Sequence, residues 1–209
     1  VLDLPLNAAA DGEIVFAGDE VRLAGQIDYP TTPRPETGYP LVFVLHHACC
    51  SSREDYDDYS RLALSKGYAV FRWDARGTGR SGDSGRGSTT QDAVSAYEIA
   101  LHQPGVDRRR AVILAVGAGS ALVGNSFGLF ARTQTPYAVL LAANMLDDQE
   151  ILALDTRIQI VMSPEDWNAP SIYGEAACAA HSRCSVSRQP QPCTVRLFRC
   201  RRAPRRKSV

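Results

Sequence analysis

Five short apolar runs, separated by segments of helical periodicity, constrain this chain more than any other feature. They are Leu41–His46, Tyr68–Trp73, Ala111–Val116, Tyr137–Ala142 and Arg157–Met162. Each is too short for a helix and almost continuously apolar, the pattern of a strand buried on both faces of a parallel sheet. Between the first two lies Asp55–Lys66, with Tyr56, Tyr59, Leu62 and Ala63 at helical spacing and Gly67 just beyond its end. After the second, Thr89 or Thr90 can cap a helix that buries Ala93, Ala96, Tyr97, Ala100 and Leu101 and stops before Pro104-Gly105. Strand–helix alternation of this kind predicts an α/β domain: a mostly parallel central sheet with helices on both faces. Glu13–Phe16 and Val21–Tyr29, around a Gly18-Asp19 turn, add a hairpin at the start.

The segment Tyr68–Gly82, YAVFRWDARGTGRSG, contains a GxGxxG string from Gly77 to Gly82. A dinucleotide fingerprint needs its first glycine at the strand end and a helix opening on its last. Here Asp74-Ala75-Arg76 intervene, and Asp83-Ser84-Gly85-Arg86-Gly87-Ser88 follows, too rich in glycine to start a helix. That removes a nucleotide-binding oxidoreductase from the front rank. The Asp-x-Arg-Gly-x-Gly-x-Ser pattern instead resembles the loop after the fourth strand of α/β-hydrolases. LVFVLHHACCSSREDY resembles the segment of that superfamily that opens on His-Gly and leads into a helix.

The resemblance runs from about Val21 to Pro170. It implies a domain without a lid over residues 1–172, followed by a divergent basic Cys/Arg-rich segment over 173–209. It implies hydrolysis of small-molecule carboxylic esters or amides through a serine and an acyl-enzyme, with no cofactor and no metal. The other function it allows is a non-catalytic member that uses the fold for binding or scaffolding. His46 matches the family histidine and takes a packing role. His47 stands where the family has glycine, so the oxyanion region is His47, Ala48 and Cys49, with the N–H of Ala48 or Cys49 as donor. Asp74 and Arg76 are expected to pair and fix the loop after the fourth strand.

The nucleophile has more than one register. Gly124-Asn125-Ser126-Phe127-Gly128 is a full GxSxG, but only ten residues separate Ser126 from the strand at Tyr137. The alternative places the turn at Gly117-Ala118-Gly119, directly after Ala111–Val116, with one helix over Ser120–Arg132. Its nucleophile position is then Gly119, which has no nucleophile, or Ser120, which has Leu122 where a small side chain is needed. For the acid, Asp166 matches best and Glu165 second, in the loop after the strand Arg157–Met162. The base should follow the last strand, Thr194–Phe198, but no histidine does. His181 is the only histidine downstream of Asp166.

Composition excludes other classes. With 44% hydrophobic and 22% charged residues, the chain reads as an ordinary globular protein. No apolar run reaches the roughly 18 residues of a membrane span. Val1–Phe16 has no basic region ahead of an apolar stretch, so no secretory leader is expected there and the cytoplasm is the expected location. The formal charge of zero hides an asymmetry: Cys178–Val209 carries eight Arg, one Lys and no acid. With almost no aromatics to stack on bases, this end is not expected to bind nucleic acid. Of the six cysteines, adjacent Cys49 and Cys50 are not expected to bridge each other, and Cys178, Cys184, Cys193 and Cys200 form no CxxC pair, so they read as loop cysteines and not as a zinc site.

Overall fold

The computed structural model describes residues 12–47, 51–162 and 171–188. Its eight strands are β1 (Glu13–Ala17), β2 (Arg22–Asp28), β3 (Tyr39–Leu45), β4 (Ala69–Trp73), β5 (Val106–Val116), β6 (Ala138–Ala142), β7 (Arg157–Met162) and β8 (Cys184–Arg188). They form one sheet in the order β1-β2-β4-β3-β5-β6-β7-β8. β1 pairs antiparallel with β2, and β2 antiparallel with β4. From β4 to β8 every pairing is parallel. The helices are α1 (Asp57–Ser65), α2 (Thr89–Leu101), α3 (Ala118–Gln134), α4 (Asp148–Ala153) and α5 (Ser171–Ala180).

The pleat sorts alternate residues of the central strands to two cores, as a doubly covered sheet requires. Leu41, Phe43, Leu45 and Ile113 point to one face, where they join Tyr97 from α2, Val123 and Phe130 from α3 and Ile151 from α4. Val44, Val70, Leu114 and Val116 point to the other, against Tyr56 and the α1 residues Tyr59, Ala63 and Leu64. Tyr97 meets Phe43 and Phe130 edge-on at centroid distances of 5.2 and 5.6 Å. The connection from β6 to β7 holds only the six-residue α4, so no lid is built there.

Several boundaries differ from the sequence expectation for local reasons. β5 begins at Val106, five residues early, because its register with β3 jumps from Pro40–Asp107 to Leu41–Ala111. Arg108, Arg109 and Arg110 bulge into solvent there and mask the strand in a hydrophobic scan. α2 is capped by Ser88, whose hydroxyl accepts from the Gln91 N–H, and not by Thr89 or Thr90. α5 and β8 carry the sheet past residue 172, and Cys178 is disulfide-bonded to Cys184. The bridge corrects the expectation of unpaired loop cysteines. The strand expected at Thr194–Phe198 lies outside the described residues. Among the described residues, no helix is long and apolar enough to cross a membrane.

Chain order places the functional region. From β3 the chain steps to β4 on one side, then returns past β3 to β5 on the other. Connections leaving the carboxyl ends of β3 and β5 therefore diverge. In open α/β sheets the crevice at such a switch point is where ligands bind.

Candidate active site

β3 delivers two histidines to the crevice. His46 donates from Nε2 to the Trp73 carbonyl at 2.6 Å, and its ring lies against Trp73 and Tyr56 at 4.5 and 5.5 Å. Burial disfavours its charged form and lowers its pKa to about 4. His46 is thus a neutral rivet between the ends of β3 and β4, and its bonded nitrogen is not available for proton transfer. The Trp73 indole returns the tie by donating to the Val44 carbonyl at 3.0 Å. The backbone N–H of His47 donates to the Tyr56 hydroxyl at 2.6 Å, so it is not the oxyanion donor. Partial burial also lowers the His47 pKa. Ala48 and Cys49, the donors expected from sequence, lie outside the described residues.

Across the crevice β5 ends at Val116, Gly117 turns and α3 begins at Ala118. Gly117 sits at φ 52° and ψ −115°, a backbone region that costs an ordinary residue on the order of 1–3 kcal/mol. Its N–H is held by the Ala142 carbonyl at 2.9 Å. A sharp, strained strand-to-helix turn is the geometry that exposes a nucleophile in the G-x-S-x-G arrangement. Here the position at the apex of the turn is Gly117, itself buried, two residues before the Gly119 position given by the sequence register. Gly119 has a packing role instead. A Cβ there would lie 2.6 Å from the Leu45 carbonyl oxygen and 2.9 Å from that of His46, so only glycine lets α3 seat on the end of β3.

Neither serine candidate stands at the apex of the turn. Ser120 is fully buried; its hydroxyl donates to the Gly117 carbonyl at 2.6 Å and accepts from the Met145 N–H at 2.9 Å. Both bonds are structural, and they tie the β5 turn to the β6 turn. Ser126 is the ninth residue of α3, which puts it about 12 Å along the helix from its first residue. The GxSxG string is therefore helix interior. Its first glycine is explained by packing, since a Cβ on Gly124 would sit 2.4 Å from Leu146 Cδ2.

The base candidate is at the wrong edge of the sheet. His181 donates from Nε2 to the Leu154 carbonyl at 3.0 Å and accepts at Nδ1 from the Arg183 N–H at 3.2 Å. It precedes Cys184, the first residue of β8, whereas the crevice lies at the carboxyl ends of the strands. A five-residue strand separates those ends by about 16 Å. The structure does not bring His181 to Ser126, Ser120 or Gly117. Asp166 and Glu165 lie outside the described residues.

The loop after β4 is the most heavily tied part of the crevice wall, and it departs from the expected Asp74–Arg76 pair. Asp74 is fully buried; one carboxylate oxygen accepts from the Arg53 N–H at 2.8 Å and the other from the Arg80 N–H at 2.9 Å. The Arg53 guanidinium lies 3.7 Å from Asp74 and 3.0 Å from Glu13. Arg76 pairs with Asp92 at 2.7 Å, and Asp92 also accepts from the Asp19 N–H at 2.8 Å. Asp74 and Asp92 hold the loop, and Glu13 adds an ion pair to the Arg80 guanidinium. Arg53 and Asp92 were missed from sequence because their partners are 21 and 73 residues away along the chain.

No protein-family model matches the chain. A non-heme chloroperoxidase of Streptomyces lividans is 32% identical over 109 residues, 52% of this chain. That match spans 38% of the chloroperoxidase, well under half of its length. The esterase domain of a Rhodothermus marinus protein superposes with a TM-score of 0.63 at 18% identity, covering 84% of this chain and 85% of that one. A serine hydrolase without a lid from Xanthomonas campestris gives 0.64 at 13%, over 89% and 86% of the two chains. The acetyl xylan esterase of Paenibacillus sp. R4 gives 0.63 at 15%, over 90% and 79%.

Proposed function

This chain has the α/β-hydrolase fold, and on that premise we propose that its crevice binds small esters or amides without forming an acyl-enzyme. The observation that carries this is Gly117, a residue without a side chain at the strained turn where a nucleophile would stand. Covalent acyl transfer needs a hydroxyl or thiol there, a base in contact with it and an acid to orient the base. Ser120 has committed its hydroxyl to two backbone partners, and His46 has committed a ring nitrogen to the Trp73 carbonyl. The ligand class follows from the esterases that share the fold. The Cys178–Cys184 bridge favours an oxidising compartment over the cytoplasm.

A second reading, hydrolysis through Ser126, draws its support from the names of those same structural neighbours. One experiment separates the two. The full chain is treated with a fluorophosphonate probe, mapped by peptide mass spectrometry, and assayed with p-nitrophenyl acetate. The expected result is no labelled serine and a rate equal to that of Ser126→Ala. A functional serine triad contributes on the order of 10⁶-fold, so labelling at Ser126 with a rate lost in the variant would give the second reading the field.

A further inference from the structure

We infer that His47 decides what this crevice admits, because its imidazole occupies the space that a side chain at position 117 would fill. A Cβ built on Gly117 would lie 1.9 Å from His47 Cδ2 and 2.7 Å from Nε2. Real Cβ contacts do not come that close, so the ring at 47 and any side chain at 117 exclude each other in this arrangement. The two positions thus answer one another: histidine stands at 47, where the superfamily resemblance places glycine, and glycine stands at the strained turn.

The turn cannot simply withdraw to make room. Gly119 seats α3 against the Leu45 and His46 carbonyls, the Ser120 hydroxyl ties the turn to Met145, and the Gly117 N–H is held by Ala142. On the opposite wall the His47 backbone is anchored by the fully buried Tyr56, and His46 is held by Trp73. Both backbones being fixed, the His47 ring is the element that fills or frees the space. With the imidazole in place, the ring fills the space beside the turn; with glycine at 47, that volume is freed. The identity of the occupant rests on the binding function proposed above, whereas the exclusion between 47 and 117 stands on packing alone.

A double-mutant cycle without an activity readout tests the exclusion, so its failure is distinct from a failure of the probe experiment. Melting temperatures are measured for the full chain, Gly117→Ala, His47→Gly and the pair. Gly117→Ala alone is expected to lose about 5 °C or more from the clash with the ring and the positive φ together, and the same substitution in the His47→Gly background a smaller amount, that of the positive φ alone. Equal losses in both backgrounds overturn the inference. A Gly117→Ala chain that fails to fold while the pair folds supports it, and failure of both overturns it. As a second measurement, iodoacetamide alkylation of Gly117→Cys, followed by peptide mapping, should run about tenfold faster once His47 is glycine. Equal alkylation rates count against the plug.

Discussion

The loop leaving β4 and the turn leaving β5 flank the same crevice, yet they are built by opposite means. The β4 loop takes its shape from side chains: Asp74 and Asp92 gather the Arg53, Arg80 and Asp19 N–H groups and the Arg76 guanidinium. The β5 turn takes its shape from the backbone, through a glycine at positive φ and another pressed against the end of β3. The first would lose its form if a carboxylate were removed. The second has the form of a sharp strand-to-helix turn with a glycine at its apex. One wall is therefore sensitive to the loss of a carboxylate and the other to the addition of a side chain.

The largest test of that contrast is Asp74→Ala. It strips the buried Arg53 of an acidic neighbour and leaves two backbone N–H groups without their acceptor, a change that costs on the order of 3–5 kcal/mol. Urea denaturation should register the full loss, and a value below 1 kcal/mol would mean the β4 loop does not depend on its carboxylates. Next comes Arg76→Ala, which leaves the buried Asp92 with only the Asp19 N–H; it should cost about 2–3 kcal/mol, against less than about 0.5 kcal/mol for the exposed Arg108→Ala. Equal midpoints for the two variants would undo the assignment.

The third test is pH. The folded pKa of His46, about 4, lies below its unfolded value of 6.5, so below pH 6.5 the unfolded chain binds the extra proton. His46 thus contributes stability that is complete above pH 6.5 and is lost as pH falls through 4. From pH 7 to pH 5 the loss is about 2 kcal/mol, and it should be absent from the pH–stability curve of His46→Asn. A variant with the wild-type pH slope would show that the β3–β4 rivet is not this imidazole. The smallest effect belongs to Ser126→Ala, within about 0.5 kcal/mol in stability and without change in ester hydrolysis. Any larger change would draw α3 back into the chemistry.

The sheet was legible because its central strands are buried on both faces and so are written as continuous apolar runs; Tyr68–Trp73 and Arg157–Met162 fall on β4 and β7 almost residue for residue. The loop after β4 was legible as a motif, but its wiring was not. A carboxylate does not reveal which of several arginines it meets when the partner is brought in by another strand. Gly117 escaped for a different reason. Two glycines flank Ala118, and sequence does not record which of them carries positive φ, while nearby serines draw attention toward Ser120 and Ser126. α4, with six residues, is too short to display a helical period, and β8, CSVSR, lacks the apolar run that marked its neighbours.

The contact between Gly124 and Leu146 bears on how this chain should vary among its descendants. Position 124 is constrained by the neighbour that fills its missing side chain, whereas nothing in the described structure constrains a hydroxyl at 126. Close homologues should therefore keep a small residue at 124 and drift freely at 126. One member of the string would then be held by helix packing and the other released, so the two would separate over time.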